Sequence, residues 1–336
     1  MFNFTKRLGI DLGTANSLVY LAGKGIVLNE PTVVAVSVDD NKVVAVGSEA
    51  REMLGRTPTN IVASRPMRDG VIADYIITEA MLRYFIDKVC GTSRIFKPEV
   101  MICGPSGVTS VEKRAVLDAT MAAGAKTAYL IDEPLAASIG AKIPIANPSG
   151  NMIIDIGGGS AEAAVISLGG VVVHGSVRVA GNKIDEAIAT YIRRKHNLIV
   201  GERMSEEIKI NVASATPMDP PLKMEIKGRD AIDGLPKIIE ISSSDITDAI
   251  LPSLQSIVSM ARTVLEQTPP ELAADIIDKG IVLSGGTSQL RNLDKLLMQS
   301  TGVPVYLAEN PMMCVAMGTG IAIENIDLYK RGINKR

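Results

Sequence analysis

Apolar residues along this chain fall into short blocks, and those blocks predict strands before they predict helices. Residues 8–11 and 18–21 are apolar runs on either side of a glycine-containing turn. Residues 32–38 and 42–46 flank Asp39-Asp40-Asn41, the pattern of a hairpin. Ile76, Ile77, Ala80, Met81, Tyr84 and Phe85 recur at helical spacing, which predicts a helix over 76–88. A short buried strand is expected at 99–103. A helix follows at 110–123, where Ser110 and Lys113 supply only a partial capping box.

The second half follows the same plan. Residues 151–155 form an apolar run ending in aspartate. Strands are expected at 163–168 and 171–173 around Gly169-Gly170, and helices at 183–196 and 205–213. Residues 216–221 form a proline-rich connection. A long helical stretch at 244–266 contains Pro252, which should kink it or sit in its first turns. A buried strand at 280–283 runs into Gly285-Gly286, with a helix at 290–298.

The strongest internal signal is a repeat. Asp11-Leu12-Gly13-Thr14-Ala15-Asn16 matches Asp155-Ile156-Gly157-Gly158-Gly159-Ser160, each after an apolar strand and before a second strand. Two similar lobes, each lending one strand–turn–strand to a shared cleft, follow from it. The length of 336 residues also suits two lobes in close contact.

Composition narrows the chemistry. The chain is 46% hydrophobic and 21% charged, an ordinary folded balance. A formal charge of −2 gives no electrostatic reason for a nucleic-acid partner. Cys90, Cys103 and Cys314 are far apart and form no CxxC pair, so neither a disulfide framework nor a zinc site is expected, and a reducing cytoplasm fits. No run is long and apolar enough for a transmembrane helix to be expected, and the first residues lack the apolar stretch expected of a signal peptide. Phe2 and Phe4 beside Lys6 and Arg7, and Lys330, Arg331, Lys335 and Arg336 at the other end, suit either an anionic membrane surface or a solvated terminus.

The paired turns suit a nucleoside triphosphate. Glycine lets backbone N–H groups approach phosphate oxygens, while Thr14, Ala15 and Ser160 keep the loops slim. An aspartate at each strand end, Asp11 and Asp155, holds Mg²⁺ directly or through water. One such turn alone reads as an ordinary hairpin; two at matched positions do not. No GxxxxGK[ST] or helix-opening GxGxxG is present. Residues 129–134 end a strand in Asp132-Glu133 and start a helix at Pro134. Glu133 there orients or deprotonates a water attacking the γ-phosphate, or simply complements the helix dipole. Residues 283–288 make a tight turn where a nucleoside approaches backbone, or a plain strand–helix turn. Glu206 and Lys209 are spaced to hydrogen-bond adenine or ribose, or to pair with each other on the surface.

Together these five segments resemble the actin, Hsp70 and sugar-kinase superfamily, and within it the bacterial actin MreB family. The phrases IDLGTAN (10–16), GIVLNEP (25–31), RPMRDGVIAD (65–74), GER (201–203), PPEL (269–272) and AENP (308–311) carry that resemblance, which spans essentially the whole chain. It implies an α/β actin-like ATPase fold: two similar RNase H-like lobes around a nucleotide cleft, divided into four subdomains. The implied division is 1–32, 66–145 and 315–336 for IA, 33–65 for IB, 146–181 and 246–314 for IIA, and 182–245 for IIB. The resemblance implies a second connecting helix over 314–327, in which Gly318 and Gly320 would permit close packing.

Carried over by position, Asp11 and Asp155 are metal-side aspartates and Glu133 is the hydrolytic carboxylate. Gly13, Thr14, Ala15, Asn16, Gly157, Gly158, Gly159 and Ser160 contact phosphate. Gly181, Glu206, Lys209, Gly285, Gly286, Thr287 and Ser288 line the nucleoside. Ile95 and Phe96, beside Arg94 and Lys97, fall at the family's membrane loop, or pack ordinarily before the strand at 99. The resemblance implies ATP or ADP with Mg²⁺ and slow conversion of ATP and water to ADP and phosphate. It also implies double protofilaments of the chain with itself, lying on the inner face of the cell membrane and setting cell shape. Paralogues and cell-shape membrane proteins are the further partners implied.

Three departures stand out. The second loop reads DIGGGSAE where the family has DIGGGTTE, Asn182 replaces an aspartate, and Thr287 replaces a third glycine. Ala161 is expected to remove a hydroxyl near the attacking water, a loss of about 10²–10³ in rate, so hydrolysis is expected to be slow. Other outcomes for such a site are an Hsp70-like ATPase, a sugar or acetate kinase, and a degenerate paralogue with a regulatory or motility role. The Hsp70-like reading is not expected, since these 336 residues hold no β-rich peptide-binding region, and no substrate pocket signal supports the kinase.

Overall fold

Two open sheets built to one plan carry the molecule, whose computed structural model describes residues 5–40, 42–92, 96–329 and 332–335. The first sheet runs Ile333–Lys335, Thr127–Asp132, Glu99–Gly104, Arg7–Leu12, Asn16–Leu21, Gly25–Pro31. The second runs Val305–Leu307, Ile281–Ser284, Asn151–Ile156, Ala161–Ser167, Gly170–Val177. In each, the three strands first in sequence are antiparallel and joined by short turns. Two parallel strands then extend the sheet from the first of them, reached by crossovers. The repeat in the sequence is therefore a repeat of topology, and it sets Asp11 and Asp155 at equivalent strand positions. Each half also carries a smaller three-stranded sheet: Val43–Val46, Val34–Ser37, Ile61–Ser64 in the first, and Leu198–Ile199, Lys223–Asp230, Pro236–Ser242 in the second.

Burial explains the strand patterns. Every residue of Asn151–Ile156 is buried, because helices cover both faces of that sheet. Tyr75–Cys90 places Met81, Leu82, Phe85 and Ile86 against Leu8, Ile10 and Val100 of the first sheet. Its start is capped by Asp74, whose side chain accepts from Ile77 N at 3.0 Å. The next helix, Ser110–Ala122, is capped one residue earlier than its sequence suggests. Thr109 is the cap, and Glu112 closes a full capping box.

Several boundaries also differ from the sequence reading. Residues 286–289 form a 3₁₀ turn, and the helix expected from 290 starts at Leu293, because Asn292 takes a left-handed conformation (φ 58°). The last connecting helix ends at Glu324, with Asn325 separating it from Ile326–Tyr329. Pro252 lies inside Ser243–Glu266, beyond the first turn. The hairpin of Lys223–Asp230 and Pro236–Ser242 and the helix Pro270–Lys279 had no prediction. The hairpin's alternation is diluted by exposed lysines and glutamates, and the helix is short.

Two helices, Glu133–Gly140 and Cys314–Glu324, join the lobes. They cross backbone to backbone. A Cβ built on Gly318 would fall on Ala136 O, and one on Gly140 would fall on Cys314 O. Gly320 likewise lies against the Tyr20 ring. Around this crossing an apolar cluster draws Met101 and Ile131 from the first sheet and Ile153 and Ile166 from the second.

Candidate functional site

The two glycine turns face each other across the cleft. A Cβ on Gly158 would lie 2.8 Å from Ala15 Cβ, and one on Gly159 would fall on Thr14 Oγ1 and come within 3.0 Å of Gly70 N. Only glycine allows this approach. The first turn is braced by Thr32, whose hydroxyl donates to Gly13 O at 2.6 Å, and Gly70 N donates to Thr14 Oγ1 at 3.1 Å. The second is held by the start of the Gly181–His196 helix: Gly181 N donates to Gly157 O at 3.2 Å and Asn182 N to Gly158 O at 2.8 Å. Thr287 donates to Gly157 O at 2.7 Å. The hydroxyl that replaces a family glycine thus fastens the loop.

Behind the turns, carboxylates gather. Strand register places Asp155 opposite Glu162 on the face that looks toward the first lobe. Asp155 accepts from Ser284 Oγ at 2.6 Å, and Glu162 accepts from Ser176 Oγ at 3.0 Å and from Ser106 N of the other lobe at 3.1 Å. Asp11 accepts from the Cys103 thiol at 3.5 Å, and burial keeps that thiol protonated. Glu133 opens its helix within the field of Glu162, Asp11 and Asp155.

The charges are uncompensated, and it shows. Burial, then the charge of Asp155, raises Asp11 to about 7; burial raises Asp155 to about 6 against the Ser284 hydrogen bond. Burial and mutual repulsion push Glu133 and Glu162 upward as well. Such a cluster favours a cation. Among the described residues no three His, Cys, Asp or Glu side chains converge as a ready-made metal cage. That suits Mg²⁺, which keeps waters and takes one or two carboxylates plus phosphate oxygens.

These shifts set a pH dependence for the metal- and nucleotide-free chain. Each raised carboxylate contributes stability that is fully present below about pH 4 and lost as pH rises through about 6 to 7. The melting temperature is therefore expected to climb as pH is lowered from about 8 to 5. Asp245, held down at about 2 by Lys195, has the opposite sign but acts below that range. A profile that is flat or falls on acidification would remove the basis for the cluster.

Strand alternation corrects one expectation. Ala161 pairs with Ile156 on the other face of the sheet and is fully buried in the apolar cluster with Ile154 and Ile156. A hydroxyl there would point away from the carboxylates. Ser160 keeps its hydroxyl and lines a cavity of about 300 Å³ between the lobes with Asp69, Pro105 and Ser176.

Of the residues the sequence assigns to the nucleoside, Gly181, Thr287 and Lys209 meet: a Cβ on Gly181 would lie 2.5 Å from Thr287 Oγ1 and 3.2 Å from Lys209 Nζ. Gly285, at φ 85°, packs on Ile156 O, and Ser288 donates to Gly285 O at 2.6 Å. Glu206 and Lys209 do not pair with each other. Arg51 Nη2 donates to Glu206 Oε2 at 2.5 Å, and Arg65 lies 3.7 Å from Glu202, so two ion pairs bridge the mouth of the cleft. Lys209 turns inward to Asp185 at 2.8 Å.

Glu162, Ser284 and Asp185 carried no role in the sequence reading. Glu162 closes the motif that contains Asp155, and hairpin pairing was the signal that would have found it. Ile95 lies outside the described residues, and Phe96 is 56% exposed. No helix among the described residues is long and apolar enough to cross a membrane.

The sequence and the fold have known counterparts. The family model described as "MreB/Mbl protein" matches residues 5–331. The cell shape-determining protein Mbl of Bacillus subtilis (strain 168) is 51% identical over 332 residues, 98% of this chain and 100% of that protein. The cell shape-determining protein MreB of Escherichia coli (strain K12) is 50% identical over 97% of this chain and 95% of its own. Among solved structures, MreB 5 of Spiroplasma citri bound to AMPPNP superposes with a TM-score of 0.91 at 36% identity, covering 98% of this chain and 99% of that one. The MamK double helical filament shares the fold, with a TM-score of 0.76 at 21% identity over 95% of this chain and 99% of its own.

Proposed function

The chain belongs to the MreB/Mbl family, and from that premise we propose that it is an ATP-binding, actin-like cytoskeletal protein whose filaments help set cell shape. The observation that carries this reading is the opposition of the two phosphate turns, Gly158–Gly159 against Thr14–Ala15, in front of the carboxylates. Phosphate oxygens lie between the turns and the nucleoside against Gly181, Lys209, Thr287 and Gly285. Asp11 and Asp155 hold Mg²⁺, directly or through water. The four-subdomain division given above is part of the same proposal.

Mg²⁺ held there by Asp11 and Asp155 would supply charge neutralisation at the phosphates, and the surrounding carboxylates would be ionised beside it. Glu133 then accepts a proton from water as its oxygen attacks the γ-phosphorus and the bond to the bridging oxygen breaks. Ser160 donates toward the same region. Ser160→Ala is expected to slow phosphate release about ten- to a hundredfold. Ala161→Thr is expected to leave the rate within about twofold while destabilising the fold by about 1–3 kcal/mol, since it overpacks an apolar cluster. A large gain in rate from Ala161→Thr would restore the role given to that position by resemblance.

Membrane contact is a further part of the proposal. The exposed Phe96 beside the exposed Lys97 supplies an apolar and basic edge for an anionic inner-membrane surface. Sedimentation with ATP, with ADP and without nucleotide tests the central claim. Polymer that depends on nucleotide and Mg²⁺ supports it. Absence of polymer together with ATP turnover that needs an added sugar would replace it with a kinase.

A further inference from the structure

Resting on the nucleotide reading above, we infer that Thr287 is a phosphate-positioning residue: its hydroxyl sets the second glycine turn for the phosphate chain and does not serve the nucleoside. The resemblance put Thr287 on the nucleoside side, at a position where the family has glycine. The structure directs its hydroxyl elsewhere. Thr287 Oγ1 donates to Gly157 O at 2.7 Å, across 130 residues of sequence. A hydroxyl has one hydrogen to give, so none is left for a ligand. The residue is buried within the 3₁₀ turn Gly286–Gln289. Just before that turn, Ser284 donates to Asp155 Oδ1 at 2.6 Å, so the same segment grips the strand end that leads into Gly157.

What the Thr287 bond controls follows from peptide geometry. The carbonyl of one residue and the N–H of the next share a plane and point in opposite directions. Holding Gly157 O therefore fixes where Gly158 N–H points, and holding Gly158 O fixes Gly159 N–H. Gly157 O accepts from Gly181 N at 3.2 Å as well as from Thr287, which fills both of its lone pairs. Gly158 O accepts from Asn182 N at 2.8 Å. Among the described residues, the N–H groups of Gly158 and Gly159 meet no protein acceptor, and such donors are what a phosphate chain needs. Glycines at 157, 158 and 159 have more backbone freedom than any other residue type, so ordering them costs the most entropy. Of the bonds that hold their carbonyls, those from Gly181 and Asn182 come from backbone and the one from Thr287 from a side chain. Thr287 is therefore the replaceable part of the clamp, and a turn already held in its bound conformation binds more tightly.

Thr287→Val keeps the branched shape that a nucleoside would rest on and removes the donor, whereas Thr287→Ser keeps the donor. Equilibrium binding of ATP, ADP and AMP to the full chain with Mg²⁺ reads the consequence. Thr287→Val is expected to weaken ATP and ADP about five- to tenfold and to leave AMP within about twofold, while Thr287→Ser holds ATP within about twofold of the parent. In the nucleotide-free chain, hydrogen exchange of the amides at 157–160 is expected to be faster in Thr287→Val and unchanged in Thr287→Ser. Four outcomes overturn the inference: Thr287→Val binding ATP within about twofold of the parent, Thr287→Val weakening AMP as much as ATP, Thr287→Ser binding ATP as weakly as Thr287→Val, or exchange at 157–160 that does not change in Thr287→Val. If Thr287→Val does not fold, Thr287→Ala, which adds no volume, takes its place. A parent chain that binds no ATP overturns the nucleotide reading and this inference with it, whereas unchanged exchange beside intact ATP binding overturns this inference alone.

Discussion

Replacing Glu133 by Ala is expected to reduce ATP-dependent phosphate release about a hundred- to a thousandfold, with ATP affinity changed by less than about threefold. The residue opens the helix that follows the Thr127–Asp132 strand, so its backbone is set by sheet and helix together. It is the carboxylate of the cluster that belongs to neither phosphate turn and accepts no hydrogen bond from a serine. Asp155 and Glu162 are each held by serine donors. Among the described residues no serine hydroxyl holds Glu133, which is the basis for proposing it as the proton acceptor. The substitution also removes one of several mutually repelling buried charges. The nucleotide-free variant should accordingly melt no lower than the parent. This pairing of a collapsed rate with undiminished stability distinguishes a lost base from a damaged fold. A single-turnover rate within about threefold of the parent would rule the role out.

Gly318→Val is expected to destabilise the chain by about 4 kcal/mol or more, enough to prevent recovery of folded protein. The reason is geometric. A side chain at 318 would fall on the carbonyl of Ala136, and Gly140 has the reciprocal problem with Cys314. The obstruction is backbone, not the flexible end of a side chain, so no rotamer change relieves it. Both connecting helices would have to separate, and the apolar cluster joining the two sheets would open with them. Gly201→Ala is the control: nothing lies within 4 Å of its Cβ, and its φ of −82° is ordinary. It should cost no more than about 1 kcal/mol. Denaturant melts of the two variants decide the matter, and a Gly318→Val chain as stable as the Gly201→Ala chain would show that the crossing tolerates separation.

The two phosphate turns were legible in the sequence because their signal is local. An apolar strand, an aspartate, glycines and a second strand occupy consecutive positions, and the second copy removes the ambiguity of the first. Glu133 was legible for the same reason, as a strand end followed by a proline-started helix. The residues expected on the nucleoside side are brought together only in part. Gly181, Lys209 and Thr287 meet, while Glu206 pairs with Arg51, a residue far away in sequence.

The roles of Ala161 and Glu162 could not be separated by reading along the chain. Both belong to one motif, and one residue of register sends a side chain to the opposite face. Antiparallel pairing with Asn151–Ile156 puts Glu162 beside Asp155 and Ala161 beside Ile156. What the sequence by itself determined is the pair of strand–aspartate–glycine turns and the family they belong to, because periodicity and glycine placement act within a few residues. What only the tertiary structure decided is which turn faces which, which carboxylates share a field, and which ion pairs tie the two lobes together. Those outcomes depend on strand register and on ion pairs between segments remote in sequence, and local spacing carries no information about either.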